Sequence, residues 1–143
     1  MEITKTAPVD VASGRMLAGN GTEALPVVVV VMVGLPDETV YEVVDDVAKL
    51  QLLGAGFRPV LASDGPVLEA ARQFGYPVEL LVPERNWTEY GEDHWTEYVG
   101  TRISLAVSTY RAGLVVRATP TGLDRIAVAM LESMSWVQHS ALR

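Results

Sequence analysis

Residues Val27 to Val33 form an unbroken apolar run, almost entirely β-branched and closed by Gly34 and Pro36, which is the pattern of a strand buried on both faces of a sheet. It predicts a central parallel strand. Asp37 then offers an N-cap carboxylate and Glu38 a negative charge in the first turn. Val40, Val43, Val44 and Val47 recur at helical spacing until Gly54 and Gly56 end the helix. The unit repeats at once. Arg58 to Ala62 reads as a second strand, Ser63 or Asp64 as the cap of a short helix carrying Val67, Ala71 and Phe74 on one face, and Gly75 as its stop. Val78 to Val82 reads as the third strand. A polar stretch from Glu84 to Asp93 leads into a long helix from near His94, with Trp95, Val99, Ile103, Ala106 and Tyr110 on its apolar face and Gly113 as terminator. Leu114 to Ala118 predicts the fourth strand. Leu123 to Trp136 predicts a last helix with Ile126, Ala127, Met130 and Met134 turned inward.

Strands alternating with helices, joined by right-handed crossovers, make an α/β fold: a three-layer Rossmann-like sandwich with a four-stranded, mostly parallel sheet. Strand orders 3-2-1-4 and 2-1-3-4 both satisfy the pattern. Before the first strand, residues 1–26 mix glycine, serine and threonine without a sustained period and read as a tail that could also be a partner-binding arm. The domain proper is expected over 27–137, with 138–143 as a second tail. The apolar run Val27 to Leu35 is nine residues long, less than half of the roughly 20 that span a bilayer as a helix. The N-terminus lacks the basic start and apolar core of a secretory signal, so no membrane span and a cytoplasmic location are expected.

Composition narrows the chemistry. A chain of 143 residues with 49% apolar residues can bury one sizeable core. Eleven Lys and Arg against eighteen Asp and Glu leave a net charge of −7, which argues against nucleic acid as a partner. The absence of cysteine removes disulfides, thiolate catalysis and Cys-ligated metals, and two histidines leave little for a His-rich metal site. The loop Gly34-Leu35-Pro36-Asp37-Glu38-Thr39 lacks the G-x-G-x-x-G spacing of a dinucleotide site and carries carboxylates where a phosphate needs bare N–H groups. No P-loop occurs, the only lysines being Lys5 and Lys49, and there is no G-x-S-x-G elbow. No cofactor is implied.

In an open parallel sheet, ligands sit beyond the carboxyl ends of the strands, which singles out the loops Gly34 to Thr39, Ser63 to Pro66, Pro83 to His94 and Thr119 to Asp124. Asp37 reads as a helix cap, or, with Asp64 and Glu38, as part of an acidic cluster holding Mg²⁺. Asp64 occupies the place where an acidic residue binds a ribose hydroxyl, although Ser63-Asp64-Gly65-Pro66 is equally a turn into a capped helix. Between Asn86 and Tyr98, Trp-Thr-Glu-Tyr occurs twice, with Asn86 and Asp93 at matching cap positions. Trp87 and Tyr90 suit the apolar faces and hydroxyl rims of sugars, and they also suit a protein interface; Trp95 and Tyr98 seat the helix on the sheet. His94, among Glu92, Asp93 and Glu97, is either a general base or a solvated first-turn residue. From Asp37 to Glu97 there are thirteen acidic and four basic residues, whereas Tyr98 to Arg143 holds two and five, an asymmetry that suits association into an oligomer or simply solvated faces.

Gly56-Phe57-Arg58-Pro59-Val60-Leu61-Ala62-Ser63, then Leu68-Glu69-Ala70-Ala71-Arg72-Gln73-Phe74-Gly75-Tyr76-Pro77-Val78-Glu79, then Val82-Pro83, resembles the N-terminal half of GT-B glycosyltransferases of the antibiotic-glycosylating type. The likeness covers Val27 to Pro83 and slightly beyond. It implies a domain that binds a nucleotide-sugar or glycoside ligand, or a partner subunit, and is not catalytic alone. The loop after the first strand departs from the family, reading Leu35-Pro36-Asp37-Glu38 where the family carries glycine and histidine near the acceptor. The family's donor-binding half has no counterpart in these residues. The expected contact set is Asp37, Asp64, Trp87, Tyr90 and His94. The rival expectation is a regulatory or assembly module acting through protein contacts, and a third is a metal-dependent hydrolase or transferase built on Asp37 and Asp64.

Overall fold

The computed structural model describes residues 25–54, 56–89 and 94–134. Strand β1 (Val27–Met32) is buried at every position, because it is one of the two inner strands of a four-stranded parallel sheet of order β3-β2-β1-β4. Its partners are β2 (Arg58–Ser63) and β4 (Ala112–Arg117), and β3 (Val78–Leu80) pairs with β2. Alternation divides β1 between two cores. Val28, Val30 and Met32 pack against α1 (Asp37–Gly54), α2 (Leu68–Phe74) and α4 (Arg125–Glu132). Val27, Val29 and Val31 face the residues Val99, Ile103 and Ala106 of α3 (Trp95–Tyr110). The architecture is therefore the α/β three-layer sandwich that the alternating pattern predicts, with α3 the one α-helix on its face among the described residues. No helix among the described residues is long and apolar enough to cross a membrane.

Pro59 shows how the sheet accommodates a residue with no N–H. The Arg58 N–H bonds the Pro26 carbonyl at 2.8 Å on the β1 side, so the next residue's missing donor falls on the β3 side, where pairing begins only at Leu61↔Val78. Pro59 breaks no ladder bond.

Several element ends differ from the sequence expectation, each for a local reason. In α1 the Pro36 carbonyl accepts from Thr39 and Val40 N–H at 3.0 and 3.1 Å, so Pro36 holds the cap position and Asp37 is the first helical residue rather than the N-cap. Helix α2 starts at Leu68 with Val67 as its cap residue and no side-chain cap, so neither Ser63 nor Asp64 caps it. Strand β3 stops at Leu80, short of the expected Val82, because the Val82 peptide is claimed by α3: its N–H donates to Tyr98 Oη at 2.8 Å and its carbonyl accepts from Trp95 Nε1 at 2.9 Å. Helix α3 ends at Arg111, which adopts φ 53°, while Gly113 is the extra residue of a bulge in β4 between Ala112 and Leu114. Asn86 lies inside a 3₁₀ turn, Glu84–Glu89, instead of capping a helix.

Helix α4 is shorter than expected and buries Ala127 and Leu131, leaving Ile126 70% and Met130 37% exposed. The expected extension to Trp136, and the two tails apart from residues 25–26, lie outside the described residues. Asp124 caps α4, its Oδ1 accepting from Ala127 N at 2.8 Å. Asp124→Ala is expected to cost about 1 kcal/mol, the usual loss for an N-cap carboxylate, as a shift of the urea midpoint with unchanged slope.

Candidate functional site

After β1 the chain turns at Gly34, whose φ of 72° favours a residue without a Cβ. After β2 it turns at Asp64. The two turns are tied together, with Gly34 N–H donating to Asp64 Oδ1 at 3.1 Å and Oδ2 at 3.3 Å. Asp64 thus spends its carboxylate on a main-chain donor thirty residues earlier in the chain rather than on α2. Its neighbours shape the turn: buried Ser63 accepts from Gly65 N–H through Oγ at 3.0 Å. A Cβ at Gly65 would stand 3.3 Å from Val40 Cγ2, so glycine lets this turn pass close over α1.

Around this tie lies a cleft of about 230 Å³ at the carboxyl ends of β1, β2 and β3. The β1 turn contributes Gly34, Leu35 and Asp37, the β2 turn Asp64 and Gly65, the segment beyond β3 Pro83, Glu84 and Arg85, and α3 its first residue, Trp95. Three carboxylates and one guanidinium line it. Strand order reverses between β1 and β4, where an open α/β sheet ordinarily receives its ligand, but here Thr39 Oγ1 donates to the Pro120 carbonyl at 3.0 Å across that boundary. The cleft lies to the other side, over β2 and β3.

Of the residues singled out from sequence, the structure brings Asp37 and Asp64 together in the cleft. Trp87 is elsewhere: it stacks on Tyr98 with ring centroids 4.5 Å apart and an interplanar angle of 27°. Arg102 lies over the same Tyr98 ring at 5.9 Å and pairs with Glu79 at 2.9 Å. Trp87 of the first Trp-Thr-Glu-Tyr copy is therefore packed against Tyr98 of the second, half-buried and without lining the cleft. His94 is exposed at the residue before α3 and makes no side-chain cap bond. Tyr90 and Asp93 lie outside the described residues, as does His139. Asp37, Glu38 and Asp64 are not gathered into a metal-holding group: among the described residues no set of three His, Cys, Asp or Glu is placed to bind an ion.

Arg85 is the lining residue that sequence reasoning missed. It stands two residues past Pro83, within a loop already marked by its place after β3, but a lone exposed arginine in an acidic stretch carries no signature. Trp95 does more than seat its helix. Its Nε1 holds the Val82 carbonyl while the residue also forms part of the cleft wall. No family model, no curated protein and no solved structure matches the chain.

Proposed function

We propose that this chain is a small-molecule-binding domain of glycosyltransferase-half type, taking a sugar-bearing or nucleotide-like ligand in the cleft at the carboxyl end of its sheet, in a cytoplasmic setting. The observation that carries this reading is the polar concavity at the carboxyl ends of β1, β2 and β3, whose β1 and β2 turns are tied together by the Asp64 to Gly34 hydrogen bonds. Asp37 and Asp64 supply acceptors, Arg85 a donor fork and Trp95 an apolar wall. Of the expected contact set, Asp37 and Asp64 line the cleft, Trp87 and His94 do not, and Tyr90 lies outside the described residues.

Native mass spectrometry of the freshly purified chain tests this first, since retained ligand appears as added mass. Arg85 is exposed, so Arg85→Ala is expected to weaken ligand binding about tenfold or more, the loss of one charge-assisted contact, while the melting temperature stays unchanged. Equal binding by the variant removes the cleft from consideration.

A second reading, an assembly module, is favoured by one specific feature. Strand β4 pairs only with β1 among the described residues and exposes Val115 at 39%, and α4 leaves Ile126 70% and Met130 37% exposed. An open strand edge and exposed apolar side chains are features of a site of association. Sedimentation of the bare chain distinguishes the readings: a concentration-dependent oligomer with no retained ligand supports assembly, and a monomer carrying added mass supports the cleft.

A further inference from the structure

Parallel α/β sheets hold a ligand's phosphate at the turn after the first strand, using main-chain N–H groups at the start of the following helix. In this chain that turn already contains an anion. The Asp64 carboxylate accepts from Gly34 N–H through both oxygens, at 3.1 and 3.3 Å. Asp37 adds a second carboxylate at the first residue of α1, and Glu84 a third on the facing wall, against the guanidinium of Arg85, the one cation lining the cleft among the described residues. A phosphate entering the cleft would have to displace one carboxylate and lie beside two more.

Size points the same way. The cleft measures about 230 Å³, below the roughly 300–1,000 Å³ of pockets that enclose drug-sized ligands. A whole nucleoside diphosphate sugar would extend beyond this volume into solvent. An uncharged molecule rich in hydroxyls does fit the lining chemically, because each O–H satisfies a carboxylate lone pair without adding charge. Arg85 can then donate to its oxygens, and Trp95 offers an apolar surface for its C–H face.

We infer that the cleft takes an unphosphorylated, polyhydroxylated molecule of about monosaccharide size, and that Asp64 is the built-in anion that keeps phosphate out. This rests on the reading of the cleft as a ligand site, and it chooses the sugar over the nucleotide within that reading. Asp64 thereby becomes a specificity-determining residue.

Amide and indole NMR titrations of the full chain test it. The probes are inorganic phosphate, glucose 1-phosphate, and a panel of unphosphorylated pentoses, hexoses and inositols. In the wild type, at least one panel member is expected to shift the Gly34 and Gly65 amides and the Trp95 indole, while inorganic phosphate leaves Gly34 unmoved. Asp64→Asn, which keeps the side-chain shape and removes the charge, is expected to gain phosphate affinity at Gly34 by tenfold or more. Asp37→Asn changes an exposed carboxylate outside the Gly34 tie and is expected to gain two- to threefold, so the charge effect is readable even if Asp64→Asn does not fold. Tighter binding of phosphate or glucose 1-phosphate than of every neutral polyol at these same signals overturns the inference and leaves the site standing. No gain of phosphate binding in either variant overturns the role given to Asp64. If no panel member moves any cleft signal, the ligand-site reading itself fails.

Discussion

Phe57→Ala is expected to lower the unfolding free energy by about 3–5 kcal/mol, the range for emptying a buried aromatic site that does not collapse. The side chain is 1% exposed and ranks among the largest that are fully buried. It stands one residue before β2, where the chain passes from α1 back into the sheet, and belongs to the same cluster as Val28, Val43, Val44 and Val47. The Phe57 carbonyl accepts from Gln51 Nε2 at 3.2 Å, so the main chain at this joint is fixed independently of the ring. Backbone held in this way resists moving into the void, which places the expected loss in the upper part of the range. Total stabilities of about 5–15 kcal/mol are usual, so the variant should be near the limit of folding. Leu53→Ala is the control: at 82% exposure its effect should stay within about 0.5 kcal/mol. Urea unfolding of both, with unchanged slopes, measures the difference. A loss below about 1.5 kcal/mol for Phe57→Ala would mean that the joint relaxes and that α1 is not rigidly seated on β2.

What could be read from the sequence, and what could not, follows from the range of the forces involved. The continuous valine run is legible because a strand covered on both faces needs apolar residues at every position, and β1 is buried throughout. Val40, Val43, Val44 and Val47 are legible for the same reason on a helical period, and all four are fully buried. Strand order was not legible. Orders 3-2-1-4 and 2-1-3-4 make the same demands on each strand, and it is the pairing of β4 with β1 and of β3 with β2 that distinguishes them. Gly113 resembles a helix stop, yet Arg111 takes the left-handed conformation and the glycine serves a bulge instead. Ile126 and Met130 fit an inward helical stripe, but α4 meets α1 through the narrower Ala127 and Leu131 face.

The site was half legible on the same logic. The loop positions come from topology, so Asp37 and Asp64 were found together. The role of Asp64 was hidden, because Ser-Asp-Gly-Pro is as good a local turn as it is a cap, and its actual partner, Gly34, is remote in sequence. The paired Trp-Thr-Glu-Tyr copies were given different roles, Trp87 as a contact residue and Trp95 as a helix anchor, but the partners of each were not legible. In the fold one stacks on Tyr98 and the other reaches Val82, because α3 begins at Trp95 and so only that copy is presented to the end of β3.

Gln51→Leu is expected to cost about 2–3 kcal/mol, through hydrogen bonds left unmade rather than through lost volume. Gln51 is 0% exposed near the end of α1; its Nε2 donates to the Phe57 carbonyl and its Oε1 accepts from Tyr76 Oη. Leucine fills similar space and strands both partners. Tyr76→Phe removes one of the two bonds, so the double variant should lose less than the two single losses added together. The pair also gives stability a pH dependence of known sign. Burial pushes the Tyr76 phenol well above its ordinary value of 10.0, and burial together with the Glu79 carboxylate raises Tyr110. The folded state therefore holds these protons more tightly than the unfolded chain. Below about pH 10 the phenols are neutral in both states and their contribution is fully present; above it the unfolded phenol ionises first, and stability falls with rising pH. Tyr76→Phe should be less stable than wild type near pH 8 and lose stability more slowly between about pH 10 and pH 12. Urea midpoints across that interval decide it. An alkaline slope unchanged by Tyr76→Phe would assign the loss to Tyr110, and would place the Tyr76 hydroxyl in contact with water rather than held by Gln51.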